Sequence, residues 1–315
     1  MAIKLKITNR TPNIESFKIY RSESRMDILN LPAPMETLLG TATEYTDTTV
    51  TRNKLYWYVV GAVKGGEETY SKQYVLAYMP YTGPGPQALL SGDYENGYFG
   101  RCTPADMVTT TEIRTAVGIP SSFVVPSQAP ILWGKFAIDG KIVFVPSCVM
   151  FSGGNWWDLY TAGVMFGIND TAANLVPPNY QAQATVNQRK TIIKGAHEWI
   201  VRAPRDAQFK LYSTLAEYTD QLVNFKDEWA RTVERMFETT NIAYERSGSC
   251  LPKVDSITIA EYNKNGVYHA YIASGYGSSN VFYRGTQNNV EAVNGVSITG
   301  TASARGLLPF LELVF

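Results

Sequence analysis

The sequence has few charged residues, and this shortage narrows the classes of partner that we expect. Asp, Glu, Lys and Arg together make up 18% of the chain, whereas about a quarter is usual in globular proteins. The 28 basic residues equal the 28 acidic ones, and no run of Lys or Arg supplies the positive field that attracts nucleic acid or an anionic membrane. We therefore expect no nucleic acid and no membrane as partner.

Residues that bind metals or form disulfides are also scarce. The two histidines, His197 and His269, do not lie in an HxxxH, HExxH or Cys/His spacing, so we expect no metal site. The three cysteines, Cys102, Cys148 and Cys250, are far apart and include no CxxC pair. This pattern favours buried free thiols over the disulfide framework of a small secreted domain.

Motifs for catalysis and for phosphate binding are missing. No GxGxxG or GxxxxGK[ST] loop is present, and no GxSxG turn offers a nucleophile. Glycoside hydrolysis needs two positioned carboxylates; Asp158, Glu228 and Glu312 are available, but nothing in the sequence brings two of them together. We predict no catalytic residue, no cofactor and no enzymatic activity.

Long apolar runs are absent as well. No stretch approaches the ~18 residues of a membrane-spanning helix. The opening residues, MAIKLKITNRTPN, alternate like a strand and lack the apolar segment of a signal peptide. We expect a chain that is made in a cytoplasm and stays soluble.

Strand-forming residues, by contrast, are abundant, and aromatic residues reach 12% with 20 tyrosines. Between residues 17 and 71, β-branched and aromatic residues alternate with polar ones and are separated by turn-forming clusters. This pattern predicts a meander of short antiparallel strands. Within it, Tyr45-Thr46-Asp47 leads into a turn. Val50 lies six residues before Tyr56.

These features resemble a fibronectin type III domain. The resemblance implies a β-sandwich over residues 1–79 that acts as a spacer or binding surface. It also implies a structural role for Tyr56, the hydroxyl of which would bond to upstream backbone in a tyrosine corner. Residues 80–90 include the segment YTGPGPQ, which predicts a semi-stiff linker because proline fixes φ and glycine frees it. A second domain then covers residues 91–315.

The second domain combines strands with one predicted long helix. A β-hairpin is expected around residues 132–145, with a type I′ turn at Asp139-Gly140. Thr214 and Glu217 form a capping box for an amphipathic helix over residues 215–237. The apolar stripe of that helix is Tyr218, Leu222, Phe225, Trp229, Val233 and Met236. The predicted class of this domain is α+β with antiparallel strands, in a chain that is mainly β.

Four short phrases follow one another in this domain. They are KFAIDGKIVFVPS at residues 135–147, Trp157-Asp158-Leu159 with Ala162-Gly163-Val164 and Gly167, Glu228-Trp229 with Met236, and the closing segment Arg305–Leu313. In this order they resemble a carboxy-terminal module of tailed-bacteriophage structural proteins. The closing segment departs from the module, because two leucines separate its Arg-Gly from the proline and no tryptophan precedes the arginine.

This second resemblance implies a non-enzymatic virion structural protein, assembled in the host cytoplasm and associated with the tail, baseplate or neck. Its partners would be other virion proteins and further copies of itself, bound through interfaces rich in Tyr and Trp. It implies structural roles for Trp157 and Trp229. The station on the particle and the copy number are left open.

Aromatic residues are the candidate contact residues. If residues 151–157 are extended, Trp156 and Trp157 face opposite sides. With Trp157 anchored in the core, Trp156 could then point outward, where it would stack on a sugar or enter an interface. The alternative is that a helix or second layer covers Trp156. A second aromatic group, which serves packing or binding, comprises Tyr268, Tyr271, Tyr276 and Tyr283. The alternative functions are a receptor-binding or glycan-binding adhesin and a capsid decoration protein.

Overall fold

The computed structural model describes residues 2–8, 11–206, 208–224, 227–237, 254–287 and 289–315. The chain is mainly β, as predicted, with several sheets and short helices. It divides into two compact units. The first comprises Met1–Thr82, Leu89–Gly97 and Ala137–Lys141, and the second comprises Gly83–Ala88, Tyr98–Phe136 and Ile142–Phe315.

The first unit contains two antiparallel sheets around one apolar core. Its strands are β1 (Ile3–Lys6), β2 (Ser16–Ser22), β3 (Glu36–Leu39), β4 (Glu44–Asp47), β5 (Leu55–Lys64), β6 (Glu67–Tyr70) and β7 (Tyr74–Ala77). Strands β1 and β4 form a two-stranded sheet, and the other five lie in the order β3-β2-β5-β6 with β7 also paired to β5. Alternate residues of β1, β2 and β5 supply the core, which is buried between the sheets: Ile3, Leu5, Phe17, Ile19, Tyr56 and Tyr58.

Hydrogen bonds of Asp47 and of Tyr56 stabilise this core. The carboxylate of Asp47 is fully buried and accepts hydrogen bonds from Tyr58 Oη at 2.8 Å and Arg21 Nη1 at 2.7 Å, as well as from Thr49. Burial opposes its ionisation, but these donors outweigh burial and hold the pKa of Asp47 below its ordinary value. The hydroxyl of Tyr56 accepts from the Thr51 N–H at 2.8 Å, which is the bond to upstream backbone that the resemblance implies.

Part of the segment expected to be a linker packs within the second unit. Residues 83–88 belong to that unit, and the fully buried Lys135 directs its ammonium group at three of their carbonyl oxygens. The distances are 2.6 Å to Pro86, 3.0 Å to Pro84 and 3.5 Å to Gly83. Burial lowers the pKa of Lys135 to about 8, and the carbonyl dipoles supply the solvation that water supplies at the surface.

The second unit is built mainly on two six-stranded sheets. Three of its strands, β8, β10 and β11, have one or two end residues assigned to the first unit. The strands are β8 (Asn96–Cys102), β9 (Phe123–Val124), β10 (Trp133–Ile138), β11 (Lys141–Pro146), β12 (Phe151–Gly153), β13 (Lys190–Lys194), β14 (His197–Arg202), β15 (His269–Tyr276), β16 (Asn280–Thr286), β17 (Asn289–Ser297), β18 (Arg305–Leu307) and β19 (Phe310–Leu313). The orders are β13-β14-β19-β11-β10-β8 and β17-β16-β15-β18-β12-β9. The pair β15–β18 is parallel, which corrects the prediction of a wholly antiparallel arrangement.

The predicted hairpin is confirmed. Strands β10 and β11 are neighbours, and the φ angles of Asp139 and Gly140 are 49° and 77°. A type I′ turn requires positive φ at both central residues, and Asp-Gly tolerates this better than most pairs. The predicted buried free thiols are also present at Cys102 and Cys148, whereas Cys250 lies outside the described residues.

The helices are short: α1 (Thr110–Val117), α2 (Trp156–Thr161), α3 (Pro178–Gln181), α4 (Leu215–Asn224), α5 (Glu228–Arg231), α6 (Val233–Met236) and α7 (Ile259–Asn263). The continuous helix predicted over 215–237 is therefore wrong. Asp227 has an extended backbone, and its side chain caps α5 by accepting from the Ala230 N–H. Thr232, which has non-helical backbone angles, separates α5 from α6. The predicted buried stripe is confirmed at Tyr218, Leu222, Trp229, Val233 and Met236, while Phe225 lies outside the described residues.

Replacing Tyr56 with Phe removes the acceptor of the Thr51 amide while keeping the buried ring. We expect the free energy of unfolding of the first unit to fall by about 1 kcal/mol, the usual net contribution of one hydrogen bond, and exchange of the Thr51 amide hydrogen to accelerate. Amide exchange measured by NMR and urea unfolding would test this. Tyr74→Phe is the matched control, because Tyr74 is exposed. Equal Thr51 exchange in Tyr56→Phe and the unmodified chain would contradict the prediction.

Candidate functional site

A buried cluster of two arginines and two glutamates lies at the centre of the second unit. Arg202 at the end of β14 is fully buried; its Nε donates to Glu312 Oε2 at 2.9 Å, and its Nη1 and Nη2 donate to the two oxygens of Glu228 at 2.5 and 2.7 Å. Arg205 adds a second donor to Glu312, at 3.0 Å, and its backbone N–H donates to Glu228. We call these four residues the arginine–glutamate cluster.

The fold makes this cluster necessary. Strand β19 lies between β14 and β11, and all four of its residues are buried. Glu312 therefore cannot reach water and needs a positive partner inside the protein. The two carboxylates that the sequence could not place together do meet here. Both oxygens of Glu228 and Oε2 of Glu312 accept from guanidinium donors, so the geometry is that of a structural clamp rather than of a general acid and base.

A second buried ion pair attaches the helices to the other sheet. Arg284 of β16 donates to Asp227 at 3.2 Å and also to Glu234. The hydroxyl of Tyr218 donates to the same Asp227 carboxylate at 2.6 Å, and burial beside this carboxylate raises the pKa of Tyr218. Trp229 is fully buried, and its indole N–H donates to Val290 O at 2.7 Å. The structure thus places Trp229 in the core of the second unit.

The two adjacent tryptophans differ in burial, and Trp156 is the more deeply buried of the two. Trp156 is fully buried and its Nε1–H donates to Ile272 O at 2.8 Å, whereas Trp157 is half-buried. The reason is that residues 156–161 form a helix, so neighbours are not on opposite faces as they would be in a strand. Asn155 and Asp158 cap this helix reciprocally. The outward orientation considered for Trp156 is therefore wrong, and the alternative that it is covered is confirmed.

The candidate tyrosines divide between core and surface. Tyr271 is fully buried, its hydroxyl donates to Gly300 O at 3.2 Å, and burial raises its pKa to about 12. Tyr276 is half-buried and stacks on Phe282 with ring centroids 4.8 Å apart. Tyr268 is also half-buried. Only Tyr268 and Tyr276 among the four candidate contact residues thus retain exposed surface.

Tyr268 belongs to a cluster that we call the histidine cluster: Tyr268, His269, Tyr283 and Arg305. The His269 ring lies 4.6 Å from the ring centroids of both tyrosines in edge-to-face geometry, and the Arg305 guanidinium lies 5.0 Å above the Tyr283 ring. His269 Nδ1 is 2.6 Å from Gly285 O. A carbonyl only accepts, so Nδ1 carries the proton and Nε2 of the neutral ring is the acceptor.

Charge and burial both favour that neutral ring. Burial, together with the positive charge of Arg305, lowers the pKa of His269 despite the hydrogen bond to Gly285. The sequence offered no signal for this cluster, because strand pairing brings together His269 and Arg305, which lie 36 positions apart in the chain.

The described residues contain no group of three His, Cys, Asp or Glu side chains arranged to hold a metal ion. Within the same residues, no helix has the length and apolar character needed to span a bilayer. The chain matches no protein-family model, and no curated protein matches it in sequence.

Glu228→Gln tests the arginine–glutamate cluster. The substitution leaves the buried charge of Arg202 partly uncompensated, so we expect the free energy of unfolding of the second unit to fall by about 3–5 kcal/mol. Urea unfolding measures the change. Glu112→Gln is the matched control, because the Lys194–Glu112 pair is exposed and glutamine preserves the capping box of α1. A loss no larger than that of the control would refute a central role for the cluster.

The proton on His269 can be located by ¹⁵N NMR of the imidazole, with His269→Gln to assign the signals. We expect the Nδ1–H tautomer and a titration midpoint below the ordinary value of about 6.5. A lowered folded pKa means that the unfolded chain binds more protons. The contribution of His269 to stability is therefore complete above pH 6.5 and declines as the pH falls from there toward the folded pKa. An Nε2–H tautomer, or a midpoint above the ordinary value, would contradict this geometry.

Proposed function

We propose that this chain is a non-enzymatic structural protein of a tailed-bacteriophage virion, associated with the tail, baseplate or neck. In this proposal it docks on the particle and decorates it or anchors fibres through protein–protein interfaces. The four phrases that resemble a phage carboxy-terminal module are the starting point. They occur in the module's order along the second unit.

The observation that carries the proposal is that three of these four phrases meet in three dimensions: the hairpin phrase, the helix phrase and the closing phrase. The hairpin phrase supplies β11 and the closing phrase supplies β19, and the two strands pair, with Val143 opposite Glu312. Glu228 of the helix phrase and Glu312 of the closing phrase hold the same guanidinium of Arg202. Residues far apart in sequence thus form one clamp, as expected if the phrases record a shared fold rather than chance matches.

We further propose that the first unit is a fibronectin type III-like module. Its sandwich-like pair of sheets, the Tyr56–Thr51 hydrogen bond and the buried Asp47 at the end of β4 support this assignment. Such a module serves as a spacer or as a surface for attachment.

One loop of the first unit is well suited to an interface. Between β2 and β3, the side chain of Asp27 accepts from the Leu29 N–H at 3.0 Å, and Leu29 at this turn is 95% exposed. The side-chain amide of Gln73 accepts from the N–H of Met26 and donates to its carbonyl, each at 2.9 Å. A fixed loop that presents a leucine loses little entropy when a partner covers that leucine.

Immunogold labelling of particles purified from a lysate that contains this chain tests the proposed function. We expect label in a fixed band or ring on the tail, baseplate or neck, with a particle lacking the gene as the control. Presence of the chain in the lysate but not on purified particles would overturn the structural role. Clearing of peptidoglycan by the purified chain would overturn its non-enzymatic character.

A further inference from the structure

Trp157 and Tyr180 form an aromatic pair in the second unit. Trp157 in the first turn of α2 and Tyr180 in α3 are both half-buried, and their ring centroids are 5.4 Å apart with planes inclined at 49°. The two rings thus form adjoining, inclined surfaces. The sequence pattern does not indicate that these two residues meet, because 22 residues lie between them in the chain.

The pair is rigidly supported from below. The Trp157 ring stacks on Tyr160 with centroids 4.9 Å apart and planes 11° from parallel, and Tyr160 in turn lies parallel to the fully buried Trp156 at 6.0 Å. The hydroxyl of Tyr160 donates to Thr171 O at 2.8 Å. A stack that runs from the core to the surface fixes the orientation of its outermost ring.

Backbone contacts fix the two aromatic residues to the same place. The N–H of Trp157 donates to Ile298 O at 3.2 Å, and the N–H of Asn179, next to Tyr180, donates to Ser278 O at 3.1 Å. The two segments that supply these acceptors are joined to each other, because the Ile298 N–H donates to the carbonyl of Ser279, the residue after Ser278, at 2.9 Å. The spacing between Trp157 and Tyr180 is therefore set before any ligand arrives, which reduces the entropic cost of binding.

The segment that carries Tyr180 is uncharged, and Asp158, which follows Trp157, is engaged in the cap of α2 and accepts from Ser122 Oγ at 2.9 Å. Residues 171–188 contain no Asp, Glu, Lys or Arg, and the side chains of Asn179 and Gln183 are exposed. Within the described residues, neither these amides nor the Trp157 indole N–H has a hydrogen-bond partner. Amides both donate and accept, which suits hydroxyl groups, whereas a nucleic acid would need basic residues for its phosphates.

We propose that Trp157 and Tyr180 form a binding site for a neutral saccharide. The apolar face of a pyranose ring, lined by C–H groups, packs on the electron-rich faces of the aromatic rings. Asn179 and Gln183 hydrogen-bond the ring hydroxyls from α3 and the turn after it. The site differs from the contacts expected from the sequence, because Trp156 serves as its buried support and not as its surface.

The test is titration of the intact chain with maltohexaose, cellohexaose and chitohexaose, followed by ¹H–¹⁵N NMR of the indole groups. The chain has six tryptophans, and Trp157→Phe assigns the signal of Trp157. We expect at least one of these sugars to shift the Trp157 signal. Tyr180→Ala should weaken that binding by about tenfold, which corresponds to the loss of one aromatic contact. Asn179→Ala should weaken it as well.

Tyr74→Ala is the matched control, because it removes an exposed tyrosine of the first unit, and its affinity should equal that of the unmodified chain. If Trp157→Phe fails to fold, the two α3 variants decide the outcome. No shift with any of the three sugars, equal affinity in Tyr180→Ala, or a shift with oligothymidylate instead would overturn the proposal. Because this inference does not rest on the virion role, absence of the chain from particles leaves it unaffected, and a failed titration leaves the virion role unaffected.

Discussion

A guanidinium group withdrawn from water must be surrounded by carboxylates or it destabilises the fold by several kcal/mol. Arg202 is such a group, and its partners come from β19 and from the first turn of α5. Strands β14 and β19 and helix α5 must therefore all be in place before the buried charge of Arg202 is compensated. Ion pairs of this kind contribute specificity of arrangement more than net stability, and here the arrangement selected is the one that brings β14, β19 and α5 together.

Local patterns were the parts of the structure that the sequence predicted well. The Asp139-Gly140 turn and the Tyr56 hydrogen bond each depend on residues a few positions apart, so the first follows from its residue types and the second from the resemblance of a short segment. The buried stripe that includes Tyr218 and Trp229 was also readable from its helical period. Its division into separate helices was not, because Asp227 leaves the helix to meet Arg284, 57 residues further along the chain.

The candidate site shows the same limit. The direction of Trp156 depends on whether residues 156–161 are helix or strand, and a signal for helix was available: Asn155 followed three residues later by Asp158 is a capping pair. The partnership of Trp157 with Tyr180 had no local signal, since it arises from backbone bonds to Ser278 and Ile298 that only the folded chain brings together. The histidine cluster likewise depends on the parallel pairing of β15 with β18.

The central position of β19 has a consequence for the time at which this protein can fold. Residues 310–313 fill the gap between β14 and β11, so the middle of the first six-stranded sheet is the last part of it to be synthesised. While the ribosome is still translating, β11 and β14 have exposed edges and Arg202 lacks one carboxylate. The second unit is thus completed only after translation passes residue 313, and a chain interrupted earlier leaves two open strand edges available for aggregation.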